Sequence, residues 1–149
     1  MDKAANHNDL LHGYYFEDLR EGMNDVYGKT VTDADIVMFA GISGDINPVH
    51  LNHEFASATM FEGRIAHGIL TASFISTVIG TKLPGPGCIY VSQTLRFKAP
   101  VKSGDTVTAI ATVTKLVPEK KFVELKTQCL VRGKVVLDGE ATVMVPSRP

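Results

Sequence analysis

The stretch from Ile65 to Leu83 constrains the fold most strongly, because as a helix it is apolar on almost every side. Its apolar residues recur at every helical turn and leave hardly a polar face: Ile65, Ala66, Ile69, Leu70, Ala72, Phe74, Ile75, Val78 and Ile79. A helix of this kind is buried in a protein or crosses a membrane. Hydroxyl residues and glycines interrupt it before it reaches the roughly 20 apolar residues that span a bilayer. We therefore predict a core helix, ended by the Pro-Gly-Pro-Gly run at 84–87.

From Cys88 onward the apolar residues recur with a period of two, which is typical of strands with one buried face. Alternating segments and intervening turn residues at 118–120 and 132–134 predict antiparallel hairpins. We predict the last strand from Val135 to Val145, with Gly139 as a candidate bulge, and an early strand from Val26 to Val31.

One buried helix and at least four antiparallel strands predict an α+β fold in which the sheet wraps the helix. The 149 residues suffice for one domain with a substantial core, which we place at 13–149. Residues 1–12 are polar, and we expect a flexible tail there. Because a sheet covers one side of the helix, a neighbouring subunit or the loop region must cover the rest, and a homodimer is therefore predicted.

Two short helices are predicted between the first strand and the core helix. Thr32 resembles an N-cap with an acidic residue three positions on, Asp35, so an apolar helix over 33–41 is expected, ending at Gly41. Asn52 is a second N-cap candidate, for a helical piece that extends to Phe61.

Between these helices, the stretch from Ser43 to His50 combines turn-forming residues with an acid and an imidazole five residues apart. Gly44 permits backbone torsions closed to other residues, and Pro48 fixes its own φ and biases Asn47 away from the helical region. We predict a shaped loop here that is neither helix nor strand.

Asp45 and His50 are the chemical groups of this loop. An ionised aspartate only accepts hydrogen bonds and a histidine side chain can both accept and donate a proton, so a water bridging Asp45 and His50 could lose a proton to either. Loop composition alone is equally compatible with a structural role, in which Asp45 forms an Asx turn and His50 packs beside it.

A family resemblance decides between these interpretations. The run from Phe39 to Ala56 resembles the signature of the R-specific enoyl-CoA hydratases, the hydratase 2 or MaoC-like dehydratases. The matching positions are Phe39, Ile42, Ser43, Gly44, Asp45, Asn47, Pro48, Val49, His50 and Ala56. Tyr15–Leu19 and Arg64–Gly68 are similar to the same family, so the resemblance covers nearly the whole chain beyond the first dozen residues.

The resemblance implies a hot dog fold, a homodimer and the reversible hydration of trans-2-enoyl-CoA to (3R)-3-hydroxyacyl-CoA. Fatty acid metabolism, the supply of polyhydroxyalkanoate precursors and small-acyl carbon assimilation would all use this step, and the sequence does not choose among them. Asp45 and His50 would hold the water, and the Gly68 N–H at the start of the core helix would bind the oxygen of the thioester enolate. Close helix packing is the alternative role for this glycine.

Substrate contacts are predicted at three further positions. Asn47 is a candidate for orienting Asp45 or the substrate, although a role in the turn is the simpler interpretation. Ser76 and Ile79 lie two to three turns into the core helix and are candidates for lining the acyl pocket. The phosphates of CoA would favour cations at the pocket mouth, and four cations are available without a reason to assign any: Arg64, Arg96, Lys98 and Lys102.

Two other functions use the same pocket. A hot dog acyl-CoA thioesterase would activate water against the thioester carbonyl, and the Asp-x-Asn-Pro-x-His loop argues for hydration instead. A non-catalytic acyl-CoA-binding protein would keep the pocket without turnover. A gene-regulating sensor would need a DNA-binding extension, which neither the short tail nor the charge provides.

Composition excludes several classes of partner. The net charge of −1 offers no basic excess for nucleic acid, and 44% hydrophobic with 21% charged residues is typical of a globular protein rather than a membrane protein. Cys88 and Cys129 show no metal-ligand spacing, so two buried free thiols in a reducing, cytoplasmic setting are expected. The N-terminus lacks the apolar segment of a signal peptide.

A metal site is the last alternative. Asp45, His50, His53 and His67 lie within 23 residues, and histidines at such spacings can bind zinc. These side chains do not share one helix face, and the family they resemble uses no metal. We predict neither a metal nor a redox cofactor.

Overall fold

The computed structural model describes residues 7–149, which form a six-stranded antiparallel sheet, five α-helices and one 3-10 helix at Phe16–Asp18. The helices are α1 His7–Leu11, α2 Asp33–Ser43, α3 Pro48–Leu51, α4 His53–Ser57 and α5 Gly68–Thr81. The strands are β1 Asn24–Thr30, β2 Ile89–Gln93, β3 Arg96–Phe97, β4 Thr106–Val117, β5 Phe122–Val131 and β6 Lys134–Met144.

The sheet follows the order β1-β4-β5-β6-β2, and β3 pairs with β6 beside β2. Every neighbouring pair of strands is antiparallel. Helix α5 packs against β1, β4 and β5, and its buried side chains join those of the strands in one core. The arrangement confirms the predicted α+β fold, in which the sheet packs around one long helix.

Helix α5 is shorter than predicted and has one exposed face. It begins at Gly68 and ends at Thr81, inside the predicted limits of Ile65 and Leu83. Phe74, Ile75, Val78 and Ile79 are buried, whereas Ile69 is 54% exposed. The sheet therefore covers one side of this helix only. Among residues 7–149, no helix combines the length and the apolar character that a membrane span requires.

The predicted hairpins are present. Strands β5 and β6 meet at a two-residue turn, where Arg132 and Gly133 both take positive φ, at 49° and 77°. The bulge predicted at Gly139 is not there, because Gly139 pairs in register with Thr127, and the irregularity in β6 lies between Leu137 and Val135. Gly139 serves another purpose: a Cβ would collide with the carbonyl oxygen of Thr94, so the glycine admits a close backbone approach.

The predicted tail falls partly outside the described residues. Residues 1–6 are not described, and the short helix α1 occupies His7–Leu11 within the predicted tail. Gly13 then donates its N–H to the carbonyl of Pro86, which fixes the start of the domain. The flexibility of residues 1–12 stays a prediction.

Both cysteines are free, but only one is fully buried. Cys129 lies in the core, and burial raises the pKa of its thiol to about 12. Cys88 is half-buried, in part contrary to the prediction of two buried thiols. A protonated core thiol is chemically inert at neutral pH.

Helix α2 begins with the predicted cap. The Thr32 hydroxyl accepts a hydrogen bond from the Asp35 N–H at 3.2 Å, and the Asp35 carboxylate accepts one from the Thr32 N–H at 2.9 Å. The helix continues past the predicted end at Gly41 to Ser43, because Gly44, with φ 78°, supplies the left-handed C-cap.

The cap predicts a pH-dependent stability difference for Asp35→Asn. The hydrogen bond from the Thr32 N–H lowers the pKa of Asp35 below its ordinary value of 3.8. Near this pKa the folded state binds fewer protons than the unfolded state. The contribution of the ionised Asp35 to the free energy of unfolding is therefore complete above pH 3.8 and is lost as the pH falls further. We expect the variant to lose about 0.5–1 kcal/mol at pH 7, because the carboxylate is partly exposed, and to converge with the parent at lower pH.

Urea unfolding of both proteins between pH 3 and 7 measures this difference. Asp33→Asn is the matched control. Asp33 lies in the same helical turn, but it forms an exposed ion pair with Arg64 and does not bond to Thr32. A difference for Asp35→Asn that stays constant with pH would contradict the assignment.

Candidate functional site

The loop between α2 and α3 is held by hydrogen bonds among its own residues. The Ser43 hydroxyl donates to the carbonyl of Phe39 at 2.7 Å and accepts from the Asp45 N–H at 3.1 Å. The Asn47 N–H donates to Oδ1 of Asp45 at 3.2 Å, which closes an Asx turn. Ser43 and Asn47 therefore fix the backbone on both sides of Asp45 and restrain its side chain.

The stretch from Ser43 to His50 is not purely a loop, contrary to the prediction. Pro48 begins the short helix α3, because a proline at the first helical position lacks only an N–H that would have no partner there. The Asn47 side chain caps this helix by accepting from the Val49 N–H at 3.1 Å. The last turn of α2 and helix α3 thus bracket Asp45 and carry His50.

Helix α4 begins as predicted and ends early. Asn52 accepts a hydrogen bond from the Phe55 N–H at 3.0 Å, which confirms the cap, but the helix stops at Ser57 rather than extending to Phe61.

His50 is buried, with 8% of its surface exposed. Its Nδ1 lies 2.8 Å from the carbonyl oxygen of Ile65. A carbonyl only accepts hydrogen bonds, so Nδ1 carries the proton and Nε2 of the neutral ring keeps its lone pair. The contact therefore fixes both the orientation of the imidazole and the tautomer that can accept a proton.

His67 links the two predicted groups. Its Nε2 donates to the backbone carbonyl of Asp45 at 2.9 Å, and its ring stacks on His50 with centroids 3.8 Å apart. Phe39 contacts the other side of His67. One carboxylate oxygen of Asp45 and one nitrogen each of His50 and His67 lie within 4.8 Å of one another. The structure thus brings Asp45 and His50 together, as predicted.

The distance between these groups suits a shared water. Two hydrogen bonds of about 2.8 Å span separations up to about 5.6 Å, so one water can contact both the carboxylate and the imidazole. Asp45 is exposed and His50 buried, so the two side chains lie at the boundary between solvent and protein.

The same three side chains are a candidate metal cluster by distance. Each histidine, however, already binds a backbone carbonyl through one ring nitrogen. The free nitrogen of His67, Nδ1, is buried and has no hydrogen-bond partner among residues 7–149. His53, the fourth predicted candidate, contacts Ser57 on α4 and is not part of the cluster.

Gly68 lies next to the cluster as the first residue of α5, directly after His67. Its N–H donates to no backbone carbonyl of the described residues, as expected for the first turn of a helix. The helix dipole makes this end partially positive. A Cβ at this position would collide with the ring of Phe97. Gly68 therefore also allows the close packing of Phe97 against the helix, in addition to its predicted role as a hydrogen-bond donor.

A cavity of about 480 Å³ opens beside Gly68. Its lining is mostly apolar: Met60, Phe61, Ile65, Ala66, Gly68, Ile69, Thr71, Phe97, Lys98, Ala99, Pro100, Val101, Val136 and Leu137. Asp45 and His50 do not line it, and the cavity meets the cluster through Ile65 and Gly68. The Thr71 hydroxyl at its wall is buried and has no partner within residues 7–149.

The predicted pocket residues Ser76 and Ile79 do not reach this cavity. Ser76 is exposed on α5, and Ile79 is fully buried in the core between the helix and the sheet. Sequence analysis singled out neither Thr71 nor the two contacts of His67. These interactions join residues distant in sequence, and local patterns do not report them.

Comparisons with known proteins agree with this geometry. Residues 17–136 match the family described as MaoC like domain. A relative from Rhodospirillum rubrum, named (R)-specific enoyl-CoA hydratase, is 62% identical over 139 residues, which cover 93% of this chain and 95% of that protein. A Methylorubrum extorquens relative, named 3-hydroxybutyryl-CoA dehydratase, is 51% identical over 90% of this chain and 85% of its own length.

A solved structure gives the same result for the fold. The (R)-hydratase from A. caviae, described as involved in PHA biosynthesis, aligns with a TM-score of 0.84 at 41% identity. The alignment covers 87% of this chain and 99% of that chain. The predicted hot dog fold is confirmed.

The contacts of His67 predict the stability of two variants. His67→Ala removes a buried ring and leaves the Asp45 carbonyl without its donor, so we expect a loss of about 2–4 kcal/mol in the free energy of unfolding. His67→Phe restores the ring stack and should lose only about 1 kcal/mol, for the missing hydrogen bond. Urea titrations measure both values, and an alanine variant as stable as the parent would contradict the linking role.

Proposed function

The chain belongs to the MaoC-like domain family, and we propose on this basis that it is an R-specific enoyl-CoA hydratase. It adds water reversibly to trans-2-enoyl-CoA and forms (3R)-3-hydroxyacyl-CoA, a hydro-lyase reaction. The proposal rests mainly on one observation: Asp45 and His50 lie in one cluster with His67, which directly precedes Gly68 at the start of α5. The names of the relatives with 62% and 51% identity support the same substrate class.

The reaction needs a base for the water and an acid for the α-carbon of the thioester. Nε2 of His50 has a lone pair directed away from the Ile65 carbonyl, and the Asp45 carboxylate accepts a second hydrogen bond from the same water. The hydroxyl group of this water attacks the β-carbon, and its proton passes through the pair to the α-carbon. Asp45 and His50 act as one coupled unit.

Negative charge develops on the thioester oxygen when water attacks the β-carbon. The Gly68 N–H at the positive end of α5 can donate to this oxygen. Because donor and dipole are fixed before the substrate binds, they require no reorganisation during the reaction. A single water above one face of the double bond delivers both of its parts to that face, so the addition is syn.

The proposal includes the assembly and the setting of the enzyme. No metal or redox cofactor is needed, since water, acid, base and backbone donor supply the chemistry. A homodimer is supported by the free edge of β2, where Ile89 and Val91 are 55% and 49% exposed. A cytoplasmic location is supported by the two free thiols.

The thioesterase alternative predicts a different product from the same substrate. We propose to mix the protein with crotonyl-CoA, follow the loss of the conjugated thioester, and analyse the products for free CoA and for 3-hydroxybutyryl-CoA. The hydratase yields the 3R hydroxy thioester. Free CoA would identify a thioesterase, and binding without turnover a non-catalytic acyl-CoA-binding protein.

Asp45→Asn and His50→Gln should each lower kcat for crotonyl-CoA hydration by about 10²- to 10⁴-fold while the protein stays folded, because each removes one member of the acid–base pair. Asp25→Asn is the control, since Asp25 on β1 accepts a hydrogen bond from the Val26 N–H and is not part of the cluster of Asp45, His50 and His67. A near-normal rate for either site variant would refute the assignment.

A further inference from the structure

A second cavity, of about 560 Å³, adjoins the first and has a different lining. Three of its residues are cationic, Lys102, Arg132 and Lys134, and one is acidic, Asp105. This positive excess contrasts with the net charge of −1 of the whole chain. Both cavities share Ala99, Pro100 and Val136 in their walls, so the cationic cavity is the direct neighbour of the apolar one.

Asp105 holds two of the cationic segments in place. Its carboxylate accepts the backbone N–H of Lys102 at 2.9 Å and Nη1 of Arg132 at 2.9 Å. Partial burial works to raise the pKa of Asp105, but these hydrogen bonds lower it below its ordinary value of 3.8. The acid is therefore ionised at neutral pH and fixes the cations instead of offsetting all of their charge.

One of these cations also contacts the wall of the apolar cavity. Lys102 donates from Nζ to the carbonyl of Phe61, at 2.9 Å, and Phe61 lines the apolar cavity. Arg132 is 78% exposed in its side chain, so it has donors to spare beyond its bond with Asp105. Lys134 forms no ion pair with any residue of the 7–149 range.

We propose that Lys102, Arg132 and Lys134 bind the phosphate groups at the nucleotide end of CoA. The proposal rests on the proposed hydratase function. The uncharged pantetheine arm then lies in the apolar cavity and brings the thioester to Gly68. Lysine and arginine side chains bind phosphate through charge-assisted hydrogen bonds. The apolar cavity thus suits the uncharged pantetheine arm, and the cationic cavity suits the charged nucleotide end.

Two other cations near the apolar cavity are already paired. Lys98 bonds Asp138 at 2.9 Å, and Arg64 bonds Asp33 at 3.1 Å. Of the four cations that the sequence offered without assignment, Lys102 alone lines the cationic cavity. Arg132 and Lys134 join it because the turn between β5 and β6 places them there.

The test compares two substrates that differ only in the nucleotide end, which carries all of the phosphates. Crotonyl-CoA carries the nucleotide end, whereas crotonyl-pantetheine lacks it and keeps the reacting thioester. The double variant Arg132→Gln/Lys134→Gln should raise KM for crotonyl-CoA by about 10-fold or more, with kcat nearly unchanged. KM for crotonyl-pantetheine should not change.

Lys115→Gln/Lys126→Gln is the matched control, because it removes the same charge from β4 and β5 at residues that do not line the cavity. It should leave both KM values unchanged. An unchanged KM for crotonyl-CoA in the Arg132/Lys134 variant would overturn the proposal, as would an equal rise for both substrates.

Titration calorimetry with free CoA separates this inference from the hydratase assignment. If the protein hydrates neither thioester, the proposed function fails, but binding of CoA that weakens about 10-fold in the Arg132/Lys134 variant and not in the control still supports the phosphate site. Equal CoA binding by all three proteins would overturn the site, whatever the result of the activity assay.

Discussion

The site depends on the two contacts of His67. Its Nε2–H holds the carbonyl of Asp45, and its ring supports the imidazole of His50. Because His67 also precedes the first residue of α5, one residue connects Asp45, His50 and Gly68. The imidazole is 99% buried, so these contacts are shielded from water and the geometry is set before the substrate arrives.

The fold provides this arrangement through α5. The sheet holds the helix along its buried face, which fixes the position of its N-terminus. Helices α2 and α3 then bring their shared loop over that end, so Asp45 lies at the surface while His50 is buried below it. The apolar cavity beside Gly68 shares part of its wall with the cavity that the cations at the β5–β6 turn line. The cluster of Asp45, His50 and His67 and the apolar cavity thus lie at the same end of α5.

Much of this could be predicted from local sequence patterns, and the exceptions have physical reasons. The cap at Thr32 and the alternating strands were correct, because adjacent residues determine them. The pattern around Pro48 predicts a loop, but proline begins a helix as readily as it ends one. Ser76 and Ile79 do not line the cavity beside Gly68, since a local pattern does not report how the helix is rotated, and their place in an acyl pocket stays a prediction. The bond from His67 to Asp45 spans 22 residues, and only the folded chain reveals it.

The central claim is that one water, held by Asp45 and His50, adds to one face of the double bond. Hydration of crotonyl-CoA in D₂O tests this claim most directly, with NMR analysis of the configuration at both carbons of the 3-hydroxybutyryl product. The account predicts the 3R alcohol with deuterium added at C2 from the same face as the hydroxyl group. Deuterium on the opposite face, or a mixture of both C2 configurations at early times, would show that two separate groups deliver the hydroxide and the proton.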